Sequence, residues 1–347
     1  VGLNEPATRE ALERYVVGRT GAANVITHDL TPLAGGAVQE NWAWDLTLEG
    51  GRMSGDLAAV IRTDAVSRIP ESLTRAQEFA VLEAAADAGV TVPEPLWLCA
   101  DEETIGRPFY VMRRIAGTAA GHRIVRETDL GGDREALIRT LGAELAKIHS
   151  IRPPREDLDF LVAPDPDPAR FSVAKFQDYL DALPEVYPAL QWGLSWADLH
   201  APDPTEPLVL THHDYRTGNL MVDEYGLTGI LDWEFAGWSE RHEDIGWFCA
   251  KCWRFGADDK EAGGIGSREA FYEGYRSHSG LGIDAGRVHY WEVMANVRWA
   301  ILALQQAQRH LSGEEKSLEL ALTGRIVPEL ELEILMLTEE YDEGRVG

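Results

Sequence analysis

Apolar positions change their spacing several times along the chain, and each change marks a different kind of element. Residues 5–18 set Ala7, Leu12, Val16 and Val17 among charges, which predicts an amphipathic helix. Trp42, Trp44, Leu46 and Leu48 then alternate, and a second run follows from Leu57 to Arg62. An antiparallel pair with one covered face is expected there. Ser72 to Ala88 returns to helical spacing, with Phe79, Leu82 and Ala86 on one side and Ser72 able to cap the first turn. Val92-Pro93-Glu94-Pro95 breaks that pattern. Leu96–Cys99 and Phe109–Met112 predict two further strands, joined by a polar turn from Asp101 to Arg107.

From residue 118 the pattern becomes helical. Leu137, Leu141, Leu145 and Ile148 fall on one face of a helix over 133–149, with His149 at its end as a packing or capping residue. Residues 151–170 are rich in Pro and Asp and read as an exposed linker. Helices are expected at 172–182 and 188–199, and again at 268–278, 284–311 and 314–341. In the helix over 284–311, Tyr290, Val293, Val297, Ile301 and Leu304 share the packing face. Asn296, Arg298, Gln305 and Gln308 are free to border a pocket.

One stretch interrupts the helices. Residues 209–235 read as strand, polar loop, strand, turn, strand: Val209 and Leu210, then His212 to Gly218, then Leu220 to Val222, then Glu224-Tyr225-Gly226, then Thr228 to Leu231. The hairpin returns one strand beside the other, so Asp214 and Asn219 on the loop converge with Asp232 at the strand end. Asn219 and Asp232 offer hard oxygens suited to a magnesium ion that shares the phosphates of a nucleotide. Asp214 is left to accept a proton from a substrate hydroxyl. Phosphoryl transfer requires this division: metal-held phosphates, an oriented acceptor and little covalent work for the protein.

Charge and length narrow the picture. The chain has 347 residues, 32 Lys and Arg against 58 Asp and Glu, and a net charge of −26. Its length suits two lobes. So acidic a chain is a poor partner for nucleic acid. The charge serves solubility or the attraction of a cationic substrate. No apolar run reaches membrane-spanning length and no secretory signal is evident, so a cytoplasmic protein without a membrane partner is expected. Cys249 and Cys252 lack the second pair or spaced histidines of a metal site and read as part of a buried helix face. Eight of the 11 tryptophans lie from Trp192 onward; they supply a helical core or line an acceptor site.

The spacing His-x-Asp-x-x-x-x-Asn from His212 to Asn219, with Gly218 before the Asn and Asp232-Trp233-Glu234 after the next strand, resembles the small-molecule kinases of the aminoglycoside phosphotransferase family. The resemblance implies an α+β, two-lobed protein-kinase-like fold. The N-terminal nucleotide-binding lobe would span 1–112, a hinge 113–117, and a helical C-terminal lobe 118–347. It also implies transfer of the terminal phosphoryl group of ATP or GTP, with magnesium, to a hydroxyl of a small molecule. Arg62 would stand where kinases place a phosphate-holding lysine, with Glu78 as its ion-pair partner and Val60 on the same strand face. No lysine precedes residue 147, so the first lobe has none to offer. Gly35 and Gly36 would form a flap over the phosphates, and the Arg113 carbonyl and Ile115 amide would read the base. Asp244 matches a residue that braces the catalytic loop. Asp232-Trp233-Glu234 with Arg62 looks closer to the kinase-like portions fused to acyl-CoA dehydrogenases, which act on hydroxyacyl groups, than to the antibiotic-resistance enzymes. Two other readings stay open: a catalytically weak or inactive nucleotide-binding protein of the same shape, and a metal phosphohydrolase built on His212, His213 and Asp214. The acceptor and the oligomeric state are not legible in the sequence.

Overall fold

The structure, a computed structural model, describes residues 2–33, 39–64, 71–165 and 167–345. Its first half is a five-stranded antiparallel sheet with one helix on each side. Helix α1 (Pro6–Thr20) leads into β1 (Asn24–Pro32), β2 (Gln39–Glu49) and β3 (Gly55–Asp64). Helix α2 (Arg75–Asp87), β4 (Pro95–Cys99) and β5 (Phe109–Arg113) follow, and the sheet order is β1-β2-β3-β5-β4. The alternating residues of β2 do what their pattern predicts: Trp42, Trp44, Leu46 and Leu48 are buried against α1 and β1, with Leu12, Val16 and Val25 in the same cluster.

Strand β1 had no clear signature, and the register shows why. Between Thr27 and Asp29 the pairing with β2 slips by one residue at a bulge. The buried positions therefore run Val25, Thr27, Leu30 instead of keeping a period of two. The start of α2 also differs from expectation. Thr74, not Ser72, is the cap: its side chain accepts from the Gln77 amide, and Gln77 Oε1 accepts from the Thr74 amide, a reciprocal box. Ser72 lies outside the helix, where its hydroxyl donates to Glu234 Oε2 at 2.9 Å.

The second half is mostly helical: α3 (Gly121–Arg126), α4 (Arg134–Ile148), α5 (Pro168–Asp181), α6 (Pro188–Leu199), α7 (Arg241–Cys249), α8 (Arg268–Ser279), α9 (Ala285–Ser312), α10 (Leu318–Thr323) and α11 (Val327–Asp342). Between α6 and α7 lie four short strands, β6 (Val209–Thr211), β7 (Leu220–Val222), β8 (Leu227–Ile230) and β9 (Gly237–Ser239). β6 pairs with β9 and β7 with β8. Helices α4 and α8 cross closely because both carry glycine at the crossing: a methyl on Gly142 would overlap the Phe271 carbonyl, and one on Gly274 the Arg139 carbonyl.

Two expectations for this half need correction. The segment 151–170 is not simply exposed, since Ile151, Leu158 and Leu161 are buried in the main core cluster. The expected helix 314–341 is two helices separated by the tight turn Gly324–Ile326. Pro328 sits in the first turn of α11 and cannot continue an upstream helix, having no N–H and a ring that crowds the preceding turn. The main apolar cluster runs without a break from α2 and Tyr110 through α4 to Leu220, Ile230 and Trp233, so the hairpin β7–β8 is seated on packed core.

Candidate active site

The polar loop after β6 is held from below. Asp244, fully buried on α7, accepts the His212 and His213 amides at 2.7 and 2.8 Å, one on each carboxylate oxygen. Its Oδ2 also meets His149 Nε2 at 3.2 Å, and the other nitrogen of that ring lies 2.9 Å from the Tyr275 hydroxyl. Burial pushes the Asp244 carboxyl up, but the hydrogen bond and charge of His149 outweigh it, and the group is held below the usual carboxylate range.

His212 ties the loop to the returning strand. Its Nε2 donates to the Leu231 carbonyl at 3.0 Å, and its Nδ1 accepts the Asp214 amide at 3.2 Å. That pattern requires the neutral ring, and burial lowers its pKa in the same sense. His213 adopts a left-handed backbone, φ 59°, and its Nδ1 donates to the Phe235 carbonyl at 2.9 Å. Asp232 is left-handed too, φ 67°, which turns its carboxylate out of the strand line.

Within this frame Asp214 and Asn219 meet directly. Asn219 Nδ2 donates to Asp214 Oδ2 at 2.5 Å and to the Asp214 carbonyl at 3.0 Å. The other carboxylate oxygen, Oδ1, accepts from Arg216 Nε and from the Trp247 indole, each at 3.0 Å. The Leu231 amide bonds the Asn219 carbonyl at 2.8 Å and so brings Asp232 beside Asn219. Asn219 Oδ1 and Asp232 Oδ2 carry no hydrogen bond from any described residue, which leaves two hard oxygens without a donor. Among the described residues no group of three or more His, Cys, Asp or Glu is gathered to hold a metal ion.

The sheet half reaches Asp232 through Arg62. Arg62 Nε lies 3.0 Å from Glu78 Oε1, and its Nη2 donates to Asp232 Oδ1 at 2.5 Å. Burial alone would lower the Arg62 pKa, but Glu78 and Asp232 raise it well above the ordinary value. Burial would likewise raise Asp232, and the Arg62 charge and hydrogen bond hold it below the usual range instead. Val60 is buried on the same strand, between Ala43 and Met112. Arg113 is exposed, its amide bonded to the Glu94 carbonyl at 2.9 Å. Ile115 is half-buried against Gly229, and its amide has no backbone partner among the described residues. Gly35 and Gly36 lie outside the described residues.

Three contributors were not singled out from sequence. Arg75, fully buried, donates to Asp64 at 2.9 Å and pairs with Glu78, so Glu78 answers two guanidinium groups. Its position three residues before Glu78 was the available signal. Arg216 sits inside the loop motif. Trp247 is one helical turn after Asp244 and therefore on the same face of α7. Other expectations fail. Asn296 does not border a pocket: it is buried, and its amide donates to the Glu292 carbonyl at 2.8 Å. The hydrolase reading loses support, because both nitrogens of His212 are engaged by backbone groups and no cluster of three or more metal-ligating side chains is gathered among the described residues.

The Arg62–Glu78–Asp232 ion pairs and the Asp214 carboxylate braced on both oxygens are carried on a fold of the kinase-like, two-lobed class. The sequence profile of the phosphotransferase enzyme family matches residues 30–281, and the chain belongs to that family. It is 27% identical over 248 residues to acyl-CoA dehydrogenase family member 10 of Mus musculus, covering 70% of this chain and 22% of that protein. It is 30% identical over 171 residues to family member 11 of Gallus gallus, covering 46% and 21%. The chain thus spans about a fifth of the length of these relatives. Among solved structures, an aminoglycoside phosphotransferase candidate from Ralstonia eutropha superposes with a TM-score of 0.75 at 20% identity, over 96% of this chain and 98% of that one. A choline/ethanolamine kinase family protein from Mesorhizobium loti gives 0.59 at 18% identity, over 96% and 93%. A spectinomycin phosphotransferase, solved with ADP and spectinomycin, gives 0.60 at 16% identity, over 95% and 98%. These structural likenesses establish the fold, α+β and protein-kinase-like.

Proposed function

We propose that this chain transfers the terminal phosphoryl group of ATP or GTP to the hydroxyl of a small molecule. The observation that carries the reading is the ion pair of Arg62 with both Glu78 and Asp232, which joins the sheet to the strand end beside Asn219. Residues 1–112 would form the nucleotide-binding lobe, 113–117 the hinge and 118–347 the acceptor lobe. Arg62 would hold the nucleotide phosphates, its guanidinium able to serve a carboxylate and a phosphate through separate N–H groups. Val60 would line the base, the Arg113 carbonyl and Ile115 amide would read its edge, and Gly35 and Gly36 would cover the phosphates.

Asn219 Oδ1 and Asp232 fit a magnesium ion by donor chemistry, and when bound that ion would neutralise charge on the phosphates. Asp214 would orient the acceptor hydroxyl and take its proton. Its carboxylate is fixed on one oxygen by Asn219 and on the other by Arg216 and Trp247, so the lone pair it presents is aimed before the acceptor arrives. The solved structure with ADP and spectinomycin supports nucleotide use and a small-molecule acceptor.

Asp214→Asn tests the reading against a nucleotide-binding protein without activity. The expected result is a loss of turnover of about 10²–10⁴-fold with nucleotide affinity nearly intact. Nucleotide consumption that survives the substitution refutes the assignment.

A further inference from the structure

The triplet Asp232-Trp233-Glu234 ends the hairpin, and the proposed chemistry uses only its first member. Asp232 meets Arg62. Trp233 is buried in the main cluster and donates its indole N–H to the Ile230 carbonyl at 3.2 Å. Glu234 is buried as well, and it turns toward the start of α2. Its Oε2 accepts the Ser72 hydroxyl at 2.9 Å, and its carbonyl accepts the Leu73 amide at 2.8 Å. One residue earlier, Glu71 accepts the hydroxyl of Tyr179 on α5. Three consecutive residues ahead of α2 are therefore each bonded to the helical half.

The same leader is tied into the helix at its other end. Thr74 and Gln77 close the reciprocal cap, and the Leu73 carbonyl accepts from Arg75 at 2.9 Å. Hydrogen bonds thus run from the loop after Asp232 into the first turn of α2, and Glu78 is the next residue. The apolar side of the helix agrees. It lies against β4 and β5, yet Phe79, Val81, Leu82 and Ala85 belong to the cluster of α4 and Trp233, not to that of α1 and β2. The loop 232–234 consequently sets both partners of Arg62: Asp232 directly, and Glu78 through α2. Arg62 Nε is 3.0 Å from Glu78 Oε1 and its Nη2 is 2.5 Å from Asp232 Oδ1, so the two carboxylates must stand one guanidinium apart. Misplacing one of them by an ångström would break that bridge.

We propose that Glu234 is a positioning residue for the nucleotide: it anchors the start of α2 to the loop that carries Asp232, so that Glu78 and Asp232 stand where Arg62 can hold both. The inference rests on the phosphotransferase reading of Arg62 and gives a role to a residue which that reading leaves out. Glu234 acts through Arg62 and touches neither phosphate nor metal. The main-chain bond from Leu73 to Glu234 survives any change of side chain. Loss of the carboxylate should therefore loosen the start of α2 without dissolving the fold.

The test measures the dissociation constants of ADP and GDP, with magnesium, by calorimetry, beside unfolding in urea. Glu234→Ala and Ser72→Ala remove one hydrogen bond from its two ends. Each should weaken nucleotide binding by about tenfold, and the pair together by little more than either alone. Glu234→Gln, whose amide oxygen can still accept the Ser72 hydroxyl, should recover most of the loss. In an Arg62→Gln background Glu234→Ala should add little, because the group being positioned is gone. Tyr179→Phe releases Glu71 alone and should act in the same direction by about threefold. If Glu234→Ala does not fold, the half-buried Ser72 decides through Ser72→Ala. A Glu234 that only supports the fold would lower the urea midpoint and leave the dissociation constants of the folded protein unchanged; that result overturns the inference. So does a loss in Glu234→Gln as large as in Glu234→Ala with Ser72→Ala unaffected, since the carboxylate would then act by its charge. Full additivity with Arg62→Gln overturns it too. An unaltered chain that binds neither nucleotide removes the phosphotransferase reading and this inference with it. Binding by the unaltered chain that the variants share removes the inference alone.

Discussion

Two groups of cations, one on the sheet half and one on the helical half, differ in how directly carboxylates answer them. On the sheet side Arg62 and Arg75 are buried and share Glu78, with Asp232 and Asp64 completing the network. On the helical side Arg298 and Lys175 lie over aromatic faces and make no direct ion pair with a described residue, while the charges of Glu243 and Glu71 act on them at longer range. A buried charge without a partner is costly, so the first group can be satisfied only by being built into the fold. The second is half in solvent, which screens its charge. A closed network thus joins the two halves, and a looser one stays partly in solvent.

The comparison can be broken most sharply at Glu78. Glu78→Gln would leave two buried guanidinium groups facing a neutral amide, and unfolding in urea should show a loss of about 3–5 kcal/mol. Arg62→Ala comes next: it removes one partner from the network and from the proposed phosphate site, and the nucleotide dissociation constant should rise by an amount equivalent to about 2–5 kcal/mol. An unchanged constant in calorimetry would remove Arg62 from the phosphate site.

The buried histidines give a smaller effect, outside both cation groups. His212 and His149 are both held below their ordinary pKa by burial, so the unfolded chain binds protons that the folded one refuses. Stability should therefore rise with pH through the imidazole range and level off near neutrality. The slope should reach about 1.4 kcal/mol per pH unit for each ring. Melting temperatures that stay flat between pH 5 and 7 would contradict this. Below that range the depressed carboxyls act: the stability that Asp232 and Asp244 provide is present above their unfolded pKa and is lost as pH falls through the folded one. The smallest change is expected on the looser side. Arg298→Gln should cost under about 1 kcal/mol, since only a cation–aromatic contact is lost. A loss as large as that for Glu78→Gln would show that the two groups are alike after all.

Much of this molecule was readable without coordinates because the signals were local. Alternation in β2, helical spacing in α4 and the fixed offsets among His212, Asp214, Gly218 and Asn219 depend on short stretches of chain, where period and stereochemistry act directly. The pairing of Arg62 with Glu78 was also accessible, through resemblance. Strand β1 was not, because a single bulged residue shifts its phase, and the cap at Thr74 was hidden behind an equally plausible serine. Arg75 was overlooked despite its offset of three residues from Glu78, and Arg216 and Trp247 were missed for a different reason. An arginine or a tryptophan has no preferred partner in sequence, and its role is set by what packing brings within reach.

The amino-acid order by itself determined which groups are candidates for the chemistry, because the residue types that offer a hard oxygen or accept a proton, and their spacing, are written in it. Only the tertiary structure decided which charges were already neutralised. That depends on distances between segments far apart in the chain, such as Arg62 and Asp232, and on which side of Trp247 an unpaired guanidinium comes to rest.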